Sequence, residues 1–288
     1  MDNKVYYDVE RDRFYAEDKV NNCYPITLCY NIGYNCNLSC DYCLAKHRKS
    51  RIEKMNILDV VDLIKGWRPL RIVISGGEPL MYSNELYKVL VALKENGINT
   101  FVSTNGILVE ETYSDLKGLI DWYDISLPAL KKQSYSKIRG DDKFETVVKA
   151  IDFLVNKNKR VRLTFTINGE NINEIHQIPR FVMEHGISNL RLSHTYSYND
   201  CTIACKLWNN QLKKFFSTYE DKIDIYYPLS DDQLENYNMS YLIFEKDGSV
   251  YTGSVNDDKY LFHIKDIEKN KERILDIGKL QLELFCGN

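Results

Sequence analysis

Proline is scarce, with 6 residues in 288, and glycine is modest at 14. So little of either excludes a collagen-like or linker-dominated chain. Neither sign of charge dominates: 38 Lys and Arg stand against 41 Asp and Glu, a formal net charge of −3. The chain therefore advertises no basic surface for nucleic acid or for an anionic membrane. Long apolar runs are missing as well. The longest uncharged stretch, Val20–Cys40, carries five Asn and a Pro and is unfit to cross a bilayer. The first residues, MDNKVYYDVERDRF, are polar and acidic, unlike a secretory signal. There is no internal repeat and no low-complexity tract. These absences make a cytoplasmic protein the expectation, with no membrane partner and no nucleic acid.

What is present is a packed chain with two unusual entries. Hydrophobic residues make up 44% and charged residues 27%, so wholesale disorder is excluded. The unusual entries are 21 tyrosines and 8 cysteines. Tyrosines in this number either line a peptide or nucleoside cleft or cover half-buried surface. A reducing compartment does not keep structural disulfides, so some cysteines are expected to bind metal or do chemistry.

Strands alternate with helices along most of the chain. VYYDVE and RFYAED, separated by Arg11 and Asp12, read as an N-terminal hairpin or two extended segments. Strands are expected at 26–32, 71–75, 100–103, 122–127, 161–167 and 190–194. Helices are expected near 56–66, 84–97, 143–157 and 173–185, with a short one before Trp122. Six strands with helical crossovers predict a parallel sheet curled into a partial (β/α)6 TIM-like barrel. Six units fall short of the eight that close a barrel, which leaves an open side. The remainder, with a polar helix near 208–220 and an Asp247–Gly248 hairpin signal, reads as a small α+β C-terminal appendage. The expected organisation is an N-terminal extension (1–23), a core (24–195) and this appendage (196–288).

Cys36, Cys40 and Cys43 form C-x3-C-x2-C just after the first barrel strand, where barrel loops carry chemistry. Three thiolates on one loop suit three irons of a cubane cluster and leave the fourth iron open to a small molecule. Two other readings are open: three unrelated buried cysteines, or zinc with His47 as a fourth donor.

The spacing resembles the signature of the radical S-adenosylmethionine (radical SAM) family, C-x3-C-x-Φ-C with an aromatic Φ, here Tyr42. The later motifs follow in the family's order. Gly76-Gly77-Glu78-Pro79 matches its GGEP and Ser103-Thr104-Asn105-Gly106 its STNG. Ser126 stands in a DISLPAL similar to the family's ISLDG, with Pro128-Ala129 replacing Asp-Gly. Arg139-Gly140 with Phe144 resembles an RG…F pattern, and the fifth strand ends at Asn168, after Thr164 and Thr166, in a run similar to the family's T-x-x-N. The resemblance spans roughly residues 24–195. The C-terminal FEKDGSVYTG and ILDIGKL are similar to the SPASM or twitch appendages of that family without their full cysteine set.

The resemblance implies a [4Fe–4S] cluster on Cys36, Cys40 and Cys43 whose open iron chelates S-adenosylmethionine (SAM). Gly76 and Gly77, lacking Cβ, would let backbone approach the methionine end, beside Glu78, with Pro79 stiffening the turn; an ordinary βα turn is the alternative. Ser103 or Asn105, and Ser126, sit at strand ends, within reach of the ribose, and Asn168 is a further cofactor-binding position. Arg139 would pair with the SAM carboxylate, or else form a surface salt bridge. Tyr42 and Leu192 would flank the adenine, with Leu192 equally suited to the core. A flavodoxin or ferredoxin would supply the electron that cleaves SAM to a 5′-deoxyadenosyl radical, which takes hydrogen from substrate.

Cys201 and Cys205 follow the sixth strand, and three readings are open for them: ligands of a second iron–sulfur cluster, a thiol donating hydrogen to a substrate radical, or ordinary thiols. His194 is the best-placed histidine, with a structural role as its alternative. The expected activity is peptide modification by epimerisation or cross-linking. The alternatives are the same radical chemistry on a sugar, nucleotide or cofactor precursor, or a non-catalytic zinc protein on the same barrel.

Overall fold

The computed structural model describes residues 5–17, 23–43, 57–194, 209–228, 240, 242–252 and 259–286. It opens with an antiparallel hairpin of β1 (Val5–Asp8) and β2 (Arg13–Ala16). The main sheet then builds in chain order: β3 (Thr27–Asn31), β4 (Arg71–Ser75), β5 (Asn99–Thr104), β6 (Trp122–Ser126), β7 (Arg160–Ile167), β8 (Asn189–His194) and β9 (Asp224–Tyr226). Each pairs in parallel with the next. On the other edge, β10 (Leu242–Glu245) joins β3 in parallel. Antiparallel β11 (Ser249–Thr252) and β12 (Lys259–His263) finish the ten-stranded sheet. The Asp247–Gly248 turn forms between β10 and β11, as expected.

Helices α1 (Ile57–Ile64), α2 (Ser83–Glu95), α3 (Val109–Leu116), α4 (Lys132–Arg139), α5 (Phe144–Asn156) and α6 (Ile178–Glu184) fill the crossovers, and α7 (Asn210–Ser217) precedes β9. The partial barrel is therefore present as an α/β fold that does not close: among the described residues no ladder joins the two sheet edges. No helix among them is long and apolar enough to cross a membrane.

The 3.6-residue period sets the helix faces. In α2, Leu86, Val89, Leu90 and Leu93 are buried, and in α5, Val147, Ala150, Ile151 and Leu154. They meet alternate strand residues, among them Ile72, Ile74, Val102, Ile125, Leu163 and Leu190, in one core cluster. Burying each large apolar side chain contributes roughly 1.5–3 kcal/mol. The other strand residues face inward and are mostly polar: Asn31, Arg71, Ser103, Asp124, Arg162 and Thr166. Strand alternation thus separates a dry helix side from a polar chamber.

Two α-helices lie outside the sequence-based expectation, as does strand β12. The first is α4. The second is α8 (Lys271–Phe285), which contains Gly278. A Cβ there would stand 1.9 Å from the Cys23 carbonyl oxygen, so glycine lets the helix lie on the chain entering β3. From one turn further on, buried Gln281 accepts from the Ile26 (2.7 Å) and Thr27 (3.0 Å) amides and donates to the Thr27 carbonyl (2.8 Å).

Inside the chamber, Arg162 grips Asp124 through Nε (3.1 Å) and Nη2 (2.9 Å). Burial would raise the Asp124 pKa, but Arg162 outweighs it and holds the carboxyl at about 2, from an ordinary 3.8. Because the folded-state value lies below the unfolded one, the pair stabilises in full above about pH 4 and is lost as pH falls toward 2, a contribution on the order of 2 kcal/mol. Melting curves between pH 5 and about 2 are expected to show this slope, and Asp124→Asn to flatten it.

Candidate active site

The loop after β3 is zipped to its neighbours by backbone. The Gly77 amide donates to the Gly33 carbonyl (2.7 Å) and the Glu78 amide to the Asn35 carbonyl (2.8 Å). The Asn35 amide donates to the Tyr82 hydroxyl (2.8 Å). Further along, the Ser39 and Asp41 amides donate to the carbonyls of Arg139 (3.4 Å) and Ile138 (3.2 Å) at the end of α4. Loops after β3, β4 and β6 thus hold Cys36, Cys40 and Cys43 at the C-terminal end of the barrel. Cys40 is buried and the other two are half-buried.

The glycine pair serves this assembly directly. Gly76 has φ +128°, and its Cβ would stand 2.2 Å from the Gly33 oxygen; a Cβ on Gly77 would stand 2.2 Å from the Asn35 oxygen. The close approach that requires glycine is to the cysteine loop itself, and the amides of Gly77 and Glu78 are already engaged there. The glycines are therefore needed for packing against the cysteine loop, beyond the turn itself.

Glu78 is fully buried. Oε1 accepts from the Leu80 amide (3.0 Å) and the Thr104 hydroxyl (2.6 Å), and Oε2 from the Asn105 amide (2.7 Å). Burial pushes its pKa up against these donors. The carboxylate ties the β4 loop to the β5 loop, with Pro79 buried at the first turn of the 3-10 helix that follows. Asn105 donates to the Asn37 side chain (2.7 Å) and lies 3.8 Å from Cys36 Sγ. Ser103 donates to Asp124 (3.0 Å).

Arg139 is no surface salt bridge: it is 5% exposed. Nη1 donates to Cys40 Sγ (3.2 Å), and Nη2 to the Ser126 carbonyl and hydroxyl (2.7 Å each). Burial works against its charge, but interactions with the Tyr42 and Cys40 side chains beside it outweigh burial and raise its pKa. Arg139 Nε and the hydroxyls of Tyr42 and Tyr135 are buried without hydrogen-bond partners. Burial raises the Cys36 thiol, with Cys40 and Cys43 near enough to add to it.

These observations test the cofactor fit. Thiols stand on one loop within electrostatic reach of one another, beside an arginine with an unspent donor. Yet no three His, Cys, Asp or Glu side chains among the described residues converge on one ion. A cubane takes its thiolates at separate corners, and three thiols on one loop fit that demand. His47 lies outside the described residues.

The remaining expected positions divide. Thr166 and Ser193 share a hydrogen bond (3.2 Å) on the chamber side. Leu192 faces the opposite way, packed into the core cluster on the helix side, so strand alternation removes it from any adenine contact. The Asn168 carboxamide is committed to its own turn, accepting from the Glu170 amide (2.9 Å). Cys201 and Cys205 lie outside the described residues, as does the His194 side chain. Cys286 packs with Cys23, Val5 and Phe14 on the hairpin side, away from the cysteine loop. Sequence reading missed Tyr82, Thr104 and Asp124. Thr104, inside the STNG run, and Asp124, which opens DISLPAL, carried local signals.

Residues 30–182, just over half of the chain, match the Radical SAM superfamily. GTP 3′,8-cyclase of Chlorobaculum tepidum is 29% identical over 160 residues, covering 53% of this chain and 48% of that protein. A probable GTP 3′,8-cyclase of Sulfurisphaera tokodaii is 27% identical over 207 residues, covering 66% and 63%. The chain thus spans about half to just under two thirds of these relatives. Among solved structures, anSMEcpe with bound AdoMet superposes with a TM-score of 0.68 at 16% identity, covering 89% of this chain and 82% of that one. Streptococcus suis SuiB bound to S-adenosylmethionine gives 0.66 at 16%, covering 84% and 61%. At such identity these two show the shared fold. Together with the superfamily match, the loop architecture places the chain: it belongs to the radical SAM superfamily and is an enzyme whose cofactors are S-adenosylmethionine and a [4Fe–4S] cluster.

Proposed function

We propose that Cys36, Cys40 and Cys43 hold the cluster and that the enzyme takes hydrogen from a small polar substrate, nucleotide-like in class, at the chamber mouth. Bound and reduced, the cluster and SAM supply a radical able to break an unreactive C–H bond. Arg139, fixed by Ser126 and Cys40, keeps a buried, unspent Nε beside the cysteine loop, the donor that would pair with the SAM carboxylate. Tyr42 walls the same space. Glu78 positions the two loops beside the methionine end of SAM, and Ser103, Asn105 and Ser126 edge the ribose side. We take residues 24–195 as the catalytic core, 1–23 as its extension and 196–288 as its appendage.

The observation that carries the substrate class is the polar inner face, where Ser103, Asp124, Thr164, Arg191, Thr166 and Ser193 come from four adjacent strands. Such a wall offers directional partners to a hydroxyl-rich or charged molecule. The GTP 3′,8-cyclase relatives support the same class. A peptide substrate is the second reading, favoured by the open side of the sheet. A flavodoxin- or ferredoxin-type donor and a cytoplasmic setting complete the proposal.

The test is anaerobic. Protein reconstituted with iron and sulfide is given SAM and dithionite, and 5′-deoxyadenosine is counted with GTP, other nucleotides or peptides. Faster release with a nucleotide supports the first reading, and acceleration by peptides alone transfers the assignment to the second. Absence of 5′-deoxyadenosine with every addition would refute the chemistry.

A further inference from the structure

The turn of the β1–β2 hairpin enters the barrel from the end opposite the cysteine loop. Among the described residues its contacts with the sheet fall in the first three residues of each strand they touch. The Trp122 indole donates to the Val9 carbonyl (2.7 Å), and Arg160 pairs with Glu10. The Tyr226 hydroxyl donates to the Asp12 carbonyl (2.8 Å). Tyr7 and Val9 pack on Val73, Phe101 and Trp122, the last two stacked at 5.4 Å. The apolar plug therefore fills the part of the chamber that is not polar.

Asp12 is its tip. It is 3% exposed and sits at φ +51°, a conformation an aspartate tolerates better than most residues. Oδ1 accepts from Arg71 and from the Tyr7 hydroxyl (2.8 Å), and Oδ2 accepts from Arg162 (2.9 Å). Arg162 also holds Asp124, which accepts from Ser103 (3.0 Å) and Thr164 (2.6 Å). Ser103, Asp124 and Arg162 are register partners on β5, β6 and β7. An ionic chain of Asp12, Arg71, Arg162 and Asp124 therefore runs from the hairpin tip to the STNG segment, with Arg191 also acting on Asp124. Without Asp12, one aspartate would remain for two buried guanidinium groups, an arrangement that strongly disfavours the closed state.

We propose that the hairpin is the floor of the reaction chamber and that Asp12 is a positioning residue, setting Ser103 at the cofactor end through Arg162 and Asp124. The floor stands on geometry alone; the effect on Ser103 rests on the assignment of Ser103 to the SAM site. The floor excludes water from beneath the radical, and the ionic chain lets a change at the hairpin reach the site without any contact between them.

The experiment uses Asp12→Asn, which keeps the side-chain shape and the backbone preference but removes the charge. Glu10→Gln, which breaks only the outer pair, is the control. Hydrogen exchange on the protein without cluster is expected to show protection lost over 5–17 and the first residues of β5 and β7, with α5 unchanged. After reconstitution, the dissociation constant for SAM should rise about five-fold in Asp12→Asn and stay level in Glu10→Gln. Removing the excess cation, in Asp12→Asn with Arg71→Gln, should restore much of the protection. Unchanged exchange over 5–17, or equal loss in α5, would overturn the floor. Lost floor protection with unaltered SAM affinity would overturn the positioning role. If wild-type reconstituted protein binds no SAM, the proposed function fails while the exchange result still decides the floor.

Discussion

Alanine at Cys36, Cys40 or Cys43 is expected to lower 5′-deoxyadenosine production at least about a thousandfold, because three ligands that act as one unit fail together. Iron and sulfide content should fall with each. The three should nevertheless differ in stability. Cys40 is buried and its sulfur accepts from Arg139 (3.2 Å), so Cys40→Ala leaves a buried guanidinium donor unmet, a cost of about 1–3 kcal/mol. Cys36 is half-buried, and its sulfur has long contacts from Asn105 at 3.8 Å and to Asn37 at 4.0 Å and a backbone bond from Leu38 in its own loop, with no buried guanidinium on it, so Cys36→Ala should melt closer to wild type. Calorimetry on the proteins without cluster, with chromatography of the SAM products on the reconstituted ones, checks both halves. Substantial 5′-deoxyadenosine from any of the three variants would remove that cysteine from the cluster.

Local signals carried much of this fold. Short apolar strands bounded by glycine, and helices with apolar residues at i, i+3, i+4 and i+7, are one-dimensional patterns, and β3 to β8 lie within a residue or so of where those patterns put them. The cysteine spacing is local too. What escaped depends on distant pieces of chain meeting. Gly278 reads as a break in any helical pattern, yet in α8 it is the residue that lets the helix touch the Cys23 backbone. Glu78 looks like a ligand-facing carboxylate until the β5 loop is brought over it and takes both oxygens. Leu192 was left between core and site because which face a strand residue takes is decided by its neighbours, Phe165 among them. The hairpin could be guessed from alternation, but its destination inside the barrel depends on Asp12 meeting two arginines 59 and 150 residues away.

The second large effect concerns a residue with no side chain. Gly77 carries no positive φ, so its conformation alone admits alanine. Space does not: the added Cβ would stand 2.2 Å from the Asn35 oxygen and 2.6 Å from the Tyr34 carbonyl carbon, both backbone and unable to rotate away. The two loops must part, and the bonds from the Gly77 and Glu78 amides to Gly33 and Asn35 stretch or break. Overpacking of this kind costs about 1–3 kcal/mol. The functional loss should be larger than the stability loss. Parting the loops moves the segment that begins one residue before Cys36, and a displacement of about 1 Å at a reacting centre can cost on the order of a hundredfold. Gly77→Ala is therefore expected to fold with a lowered melting temperature, take up less iron, and cleave SAM about a hundredfold more slowly per cluster. Gly97→Ala serves as a comparison, since its φ of +70° strains alanine while its Cβ meets nothing within 4 Å. That variant should lose stability and keep its activity per cluster. Equal activity losses in both would mean that the glycine pair matters only through stability; a loss confined to Gly77→Ala would tie it to the placement of the cysteine loop.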